Sequence, residues 1–188
     1  MSLRRGFKKE AKNLALKARE ELKIAPFAPF DPYALAELYG IKVHDLSAPD
    51  LPAAAVQHFT TLRTDVFSAA LVPVGTGCIV IENHVHDPLR RRSTMAHEMA
   101  HVLLEHEFGL LLASDNGCRA SSSVIEEEAA ELSGELLIPW DAAKAAAFKG
   151  WSDLTVAEYF NVSEPMARWR MNATGVRTIV SRAKAKWR

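Results

Sequence analysis

The sequence lacks the features of secreted and membrane-embedded proteins. Its only cysteines, Cys78 and Cys118, do not have the Cys-x-x-Cys spacing of a metal or redox motif, which favours reduced thiols over a disulfide. It has no run of about 18 apolar residues, so we expect no membrane-spanning helix. Charged residues occur throughout the first 25 positions and leave no apolar segment of the kind found in a signal peptide. Together these absences predict a cytoplasmic protein.

The chain also has no net charge at pH 7, and its pI is near 7.1, so its overall charge indicates no class of partner. The charges are unevenly distributed, because residues 165–188 contain seven Lys or Arg residues and no acid. A chain of 188 residues that is 48% hydrophobic can bury one substantial core. We expect a main domain over residues 1–148 and a C-terminal helical segment with a basic tail over residues 149–188.

A His-Glu-x-x-His motif at His97, Glu98 and His101 is the most informative pattern in the chain. Apolar residues recur around it at helical spacing, which predicts a buried helix with both imidazoles on one face. That spacing lets the two histidines bind one Zn²⁺, and burying both without a partner would be costly. Glu98 lies about 100° around the helix from His97, which favours a general base over a third ligand. We expect Ser93 or Thr94 to cap this helix.

A catalytic zinc site usually has three protein ligands, so a third must come from elsewhere. Residues 124–138 have the apolar spacing of a helix. With Ile125 at the centre of the inward face, Glu128 lies about 60° away, Glu126 about 100° and Glu127 about 200°. We therefore expect Glu128 to border the buried face and reach the histidines, and the other two to face outward. The alternative, a solvated helix start stabilised by the helix dipole, fits Glu126 and Glu127 better than Glu128.

The remaining pattern predicts an α+β fold: a small, mainly antiparallel sheet packed with the two metal-bearing helices, and further helices at both ends. Residues 5–23 are a predicted helix, and Asp31 followed by Pro32 opens a second. Strands are predicted at residues 41–46, 54–59, 67–72 and 78–82. Pro73 should end the third of these strands. The last strand is our candidate for an edge beside the cleft, where an extended peptide could pair with it.

Three polar residues directly after the last strand are candidates for a role beside the metal. Asn83, His84 and His86 could hydrogen-bond a metal ligand or stabilise an oxyanion, although for the two histidines we favour the interpretation that they are solvated loop residues. Residues 109–123 have the composition of a loop. That loop either borders the cleft or simply connects two helices.

The sequence around these motifs resembles the ImmA/IrrE family of zinc metallopeptidases. The metal helix of that family typically reads Phe-Thr-Leu-Ala-His-Glu-Leu-Gly-His, and residues 93–101 read Ser-Thr-Met-Ala-His-Glu-Met-Ala-His. A later family helix, Glu-Ala-Asn-x-Phe-Ala-Ala-x-Leu-Leu-Met-Pro, is similar to residues 128–139. Members also begin with an Asp-Pro helix ending in Gly-Ile, as residues 31–41 do. The chain departs from the family residues Phe, Gly and Asn at three positions: Ser93, Ala100 and Ala130.

The resemblance implies a metallopeptidase that uses Zn²⁺ or another divalent ion. It implies His97, His101 and Glu128 as the metal ligands and Glu98 as the catalytic residue. It also implies an endopeptidase whose substrate is a helix-turn-helix repressor or antitoxin. Such a substrate is cut once to relieve repression, in a toxin–antitoxin system or a stress response.

Residues 154–172 resemble a helix-turn-helix motif. In that motif Ala157 would contact the partner helix, Asn161 would take the turn and Ser163 would cap the second helix. Three arginines could contact DNA phosphates: Arg168, Arg170 and Arg177. The alternative is a helix pair that packs on the peptidase domain. The competing hypothesis for the whole chain is a DNA-binding transcriptional regulator with a structural or vestigial metal site; a non-proteolytic zinc hydrolase is a third.

Overall fold

The computed structural model describes residues 3–47, 51–106 and 123–186, which form nine α-helices and a three-stranded sheet. The helices are α1 (Phe7–Glu21), α2 (Pro32–Leu38), α3 (Ala53–Gln57), α4 (Pro88–Leu103), α5 (Ser123–Leu137), α6 (Trp140–Lys149), α7 (Asp153–Phe160), α8 (Glu164–Ala173) and α9 (Val176–Lys186). The strands are β1 (Lys42–Asp45), β2 (Ala69–Val74) and β3 (Gly77–Glu82). The predicted α+β class, with helices at both ends of the chain, is confirmed. Among the described residues, no helix has the length and apolar character needed to cross a membrane.

The sheet has the strand order β1-β3-β2, so β3 lies in its centre. Strand β3 pairs in parallel with β1, with Lys42 opposite Ile79, and antiparallel with β2, with Val74 opposite Gly77. The prediction that β3 is an edge strand is therefore wrong. Its apolar Cys-Ile-Val-Ile run is typical of a strand with neighbours on both sides, and Val80 is fully buried. The edges of the sheet are β1 and β2.

Two other strand predictions differ from the structure. Residues 54–59 were expected to form a strand, but they belong to α3 and to the single π-helical turn that follows it, His58–Leu62. Three consecutive alanines at the start of this segment favour a helix over a strand. Strand β2 also continues beyond Pro73 to Val74. Proline is tolerated there because, among the described residues, β2 pairs with a strand on one side only and its other side needs no N–H donor.

Helix α4 begins earlier than its sequence suggested. Asp87, rather than Ser93 or Thr94, is the N-cap: its Oδ1 accepts a hydrogen bond from the backbone N–H of Leu89 at 2.9 Å, and Pro88 takes the first helical position. The Ser93 hydroxyl instead donates to the carbonyl of Leu89 inside the helix, at 3.1 Å. The extra turn and a half extends α4 back toward the end of β3.

Two clusters of buried apolar side chains surround the helices that carry the motifs. The first is built from α1, α2, the sheet, α4 and α5, and it includes Met95, Met99 and Leu132. The second is built from the end of α5 and from α6 to α9, and it includes Ala96 of α4 and Leu137 of α5. Both clusters therefore contain residues of α4 and α5, which fixes these two helices relative to the rest of the molecule.

The predicted helix pair near the C-terminus is present. Asn161 takes a left-handed conformation between α7 and α8, with a φ of 53°, and the Ser163 side chain caps α8 by accepting from the N–H of Met166. Arg170 is fully buried, which agrees with the alternative of a helix pair packed on the peptidase domain and leaves this arginine no access to a DNA phosphate. Its guanidinium contacts the carboxylates of Glu131 and Glu135 on α5. The residues after this pair form helix α9 through Lys186.

Candidate metal centre

Helix α4 brings the two histidines of the motif together, as the spacing predicted. His97 and His101 lie one turn apart, and their Nε2 atoms are 3.1 Å from each other. His101 is buried and His97 is half-buried. Two such nitrogens bound to one zinc ion at about 2.0–2.1 Å, in tetrahedral geometry, would be roughly 3.3 Å apart. The pair is therefore close to the spacing that a shared metal needs.

Helix α5 supplies a carboxylate to the same place, and that carboxylate belongs to Glu126. One of its oxygens, Oε2, is 3.1 Å from Nε2 of His97, and the other, Oε1, is 3.8 Å from Nε2 of His101. Ligand atoms of these three residues all lie within 4.8 Å of one another. Among the described residues, this is the group of histidine, cysteine and acidic side chains that could hold a metal ion.

The prediction that Glu126 faces outward is wrong, and Glu128 points elsewhere. Oε1 of Glu128 accepts a hydrogen bond from Nε of Arg4 at 2.7 Å, and its Oε2 lies 3.8 Å from Nε2 of His106. In this arrangement Glu126, rather than Glu128, is placed to be a third ligand beside the histidines. The assignment of Glu128 as a ligand stays a prediction that metal binding can test.

Glu98 is buried, with 3% of its surface exposed, in the stretch of α4 between the two histidines. Its helix neighbours Met95 and Met99 are core residues. A carboxylate at such a position is shielded from bulk water, which strengthens its interactions with any charge nearby. The structure thus places Glu98 on the motif helix and out of solvent, as the sequence indicated.

One residue beside the centre was not singled out from the sequence. Nδ1 of His106 lies 2.9 Å from Nδ1 of His101, on the side of that ring away from His97. Burial lowers the pKa of His106, and the nearby carboxylate of Glu128 partly opposes that effect. The sequence does contain a signal for His106, because it is a third histidine, five residues after His101 and just past the end of the motif helix.

Two of the three polar residues after β3, Asn83 and His86, hold the chain around them in place. The Asn83 amide donates to the carbonyls of Phe59 and Phe67, at 2.9 and 3.1 Å. Nε2 of His86 is 2.6 Å from the carbonyl oxygen of Thr64. Both residues are buried, so the interpretation of a solvated loop histidine is wrong for His86, whereas His84 is half-buried. Their predicted roles beside the metal or an oxyanion stay predictions.

Cys78 is half-buried in β3, where burial raises the pKa of its thiol. Cys118 and residues 109–122 of the predicted loop lie outside the described residues, and Ser123 begins α5.

The donor set fits zinc. Two imidazole nitrogens and one carboxylate oxygen are the ligands of a common class of catalytic zinc site, which keeps a fourth position open. Here the three donors come from two packed helices, and one of the donor side chains, His101, is buried. The chemistry and spacing of these residues therefore suit a single divalent ion.

The comparison with protein families agrees with this geometry. A family model described as the IrrE N-terminal-like domain, of a peptidase family, matches residues 36–172. The match begins in α2 and ends in α8, so it includes the sheet, α4, α5 and the candidate metal centre. None of the curated proteins compared with the chain matches it.

Proposed function

Because the chain belongs to the IrrE N-terminal-like family of metallopeptidases, we propose that it is a zinc-dependent endopeptidase whose metal is held by His97, His101 and Glu126. The observation that carries this proposal is the convergence of ligand atoms from these three residues within 4.8 Å. When bound, zinc supplies Lewis acidity toward a peptide carbonyl and makes water more acidic. The position of the three donors on two packed helices gives the site the rigidity that such chemistry requires.

Glu98 is the proposed general base. It adjoins His97 in the sequence and is buried, so solvent does not compete directly for its carboxylate. In the proposed reaction Glu98 accepts a proton from the attacking water as the water oxygen bonds to the carbonyl carbon. It then delivers that proton to the departing amine as the C–N bond breaks.

The proposed substrate is a helix-turn-helix repressor or antitoxin that is cut once so that repression ends. Support for this substrate class comes from the resemblance of the two motif helices to the ImmA/IrrE family. A single specific cleavage requires an endopeptidase, which accepts an internal segment of a partner protein. A repressor encoded next to this chain would be the first substrate to test.

Glu98→Gln tests the mechanism, because glutamine keeps the size of the side chain but cannot accept the proton. We expect the variant to fold and bind one zinc per chain like the parent, and to lose roughly 10²–10⁴-fold in cleavage rate. Cleavage of a co-expressed repressor is followed on a gel, and metal content is measured on the same sample. Glu127→Gln is the matched control, since it neutralises a half-buried carboxylate next to Glu126.

Full cleavage by Glu98→Gln would remove Glu98 as the base, and loss of zinc from this variant would make it a ligand. The competing hypothesis of a DNA-binding regulator predicts nanomolar duplex binding that weakens steeply with salt. The structure gives it little support. Arg170 is buried, and Arg168 and Arg177 both pair with the carboxylate of Asp153.

A further inference from the structure

The turn that ends α4 brings His106 back against the metal centre. Glu105 has a left-handed backbone conformation, with a φ of 52°. The N–H of His106 donates to the carbonyl of His101 at 3.1 Å, and the N–H of Glu105 donates to that of Val102 at 3.0 Å. These two bonds form a Schellman turn, whose left-handed position usually holds glycine. A glutamate held there carries a conformational cost, and the result is a fixed place for the His106 backbone.

Side-chain contacts continue from this turn in a chain. The His106 imidazole is largely buried, with 12% of its side chain exposed, and its Nδ1 is 2.9 Å from Nδ1 of His101. Its other nitrogen, Nε2, lies 3.8 Å from the Glu128 carboxylate, which also accepts from Nε of Arg4 at 2.7 Å. The end of α4 therefore reaches α5 through His106 and Glu128, and the segment before α1 joins them where Arg4 pairs with Glu128.

The two nitrogens of His101 face different partners, and this determines where its proton must be. Its Nε2 faces Nε2 of His97 and the carboxylate of Glu126, so Nε2 is the nitrogen that offers a lone pair to a metal. The proton is then on Nδ1, and His101 donates it to Nδ1 of His106. His106 must carry its own proton on Nε2, the nitrogen on the side of the Glu128 carboxylate.

We propose that His106 is a positioning residue that fixes the tautomer and ring orientation of His101, and that Glu128 and Arg4 hold His106 in turn. The inference rests on the proposed zinc site at His97, His101 and Glu126. A histidine that binds metal generally needs an acceptor for its other N–H, and loss of that acceptor typically weakens metal binding about 10- to 100-fold. Glu128 thereby contributes to the metal centre through His106.

Two amide substitutions distinguish the proposed hydrogen bond from simple packing. In His106→Asn the side-chain oxygen can take the place of Nδ1 and still accept from His101, whereas in His106→Gln the amide reaches toward the place of Nε2. Zinc affinity is measured on the full-length chain by competition with a chromophoric chelator. The visible absorption of the Co²⁺-loaded protein reports the ligand geometry independently. His44→Gln, at an exposed histidine of β1, is the matched control.

We expect His106→Gln to bind zinc about 10- to 100-fold more weakly than the parent and to shift the Co²⁺ absorption bands. We expect His106→Asn and His44→Gln to stay within about threefold of the parent, with its spectrum. Equal affinity of the two His106 variants, or weaker binding by His106→Asn, would overturn the role of His106. A parent that binds no zinc, or binds it equally well after His97→Ala, would instead refute the proposed metal site itself.

Discussion

Two glutamates two residues apart, Glu126 and Glu128, have different partners and therefore different expected effects on the metal. Glu126 contacts His97 at 3.1 Å, and Glu128 contacts Arg4 at 2.7 Å. A carboxylate bound to zinc contributes directly to metal affinity, whereas one that holds a neighbouring histidine contributes through orientation. This difference can be measured without a substrate.

We predict that Glu126→Ala reduces zinc binding below detection at micromolar protein, because only two ligands remain. Glu128→Ala should weaken binding by only about 10-fold, since it loosens His106 and leaves the three donors in place. A metal titration of both variants, with Glu127→Ala as the control, gives the comparison. The opposite order, with Glu128→Ala losing the metal and Glu126→Ala keeping it, would restore Glu128 as the third ligand.

The proximity of the two histidines could be predicted from the sequence, but the direction of Glu126 could not. The i, i+4 spacing of His97 and His101 is a local property of one helix, so it holds whatever surrounds the helix. The direction of Glu126 depends on which elements pack against α5. Helix α5 contacts α1, α4 and α8, and it buries both Leu132 and Gly134, which point about 160° apart around the helix. A single inward face is therefore the wrong description of α5, and a helical wheel centred on Ile125 misplaces Glu126.

At the scale of elements, the contact between α5 and α8 depends on one buried arginine. Arg170 donates to Glu131 at 2.9 Å and to the carbonyl of Ile138 at 3.0 Å, and it also pairs with Glu135. Gly134 makes room for this contact, because a Cβ there would lie 3.2 Å from the Arg170 side chain. Burial raises the pKa of Glu135, and Arg170 is the group that most opposes this rise.

We predict that Arg170→Met lowers the free energy of unfolding by about 3–5 kcal/mol near neutral pH, because it leaves the buried carboxylate of Glu135 without its charge partner. Arg168→Met is the control: the exposed pairs of Arg168 with Asp153 and Glu164 should add little stability. Urea unfolding followed by circular dichroism measures both variants. Equal destabilisation by the two substitutions would show that the buried pair does not hold α8 on α5.

The loss of folding stability caused by Arg170→Met should also depend on pH. An acid whose pKa is higher in the folded than in the unfolded state binds its proton more readily when folded, so stability falls as the pH rises through the folded pKa. Glu135 is such an acid, and removing Arg170 should raise its pKa further. The difference in stability between the parent and the variant should therefore be smaller below pH 4.5, the ordinary pKa of a glutamate, than near neutral pH. A loss that stays constant across that range would contradict this account of Glu135.

Element boundaries set by local capping were predicted well, and boundaries set by tertiary contacts were not. Asp31 caps α2, and Asn161 and Ser163 form the turn and cap between α7 and α8, because each acts on backbone groups within three residues. Asp87 and Pro88 carry the same kind of signal, but the predicted cap was Ser93 or Thr94, so α4 was predicted too short. The central position of β3 depends on its pairing with β1 and β2, so it cannot be predicted from the residues of β3 alone.

At the scale of the whole molecule, apolar contacts cross the predicted boundary between residues 148 and 149. The second buried cluster joins Leu137, Ile138 and Ala143 on one side to Val156 and Phe160 on the other. The family match also continues past this point, to residue 172. Residues 149–188 are thus expected to complete a core that begins in α5, although the two-part division stays a prediction until a shortened chain is tested.

We predict that a chain ending at Phe148 does not unfold cooperatively. Without α7 to α9, the apolar side chains at the end of α5 and in α6 lose their cover, and Glu135 loses Arg170. Exposure of several such side chains costs roughly 1.5–3 kcal/mol for each large one, which is comparable with the whole stability of a typical domain. Urea unfolding of the full and shortened chains, followed by circular dichroism, makes the comparison. A shortened chain that kept the cooperative transition and the zinc affinity of the parent would show that residues 1–148 are an independent domain, because the core would then not need α7 to α9.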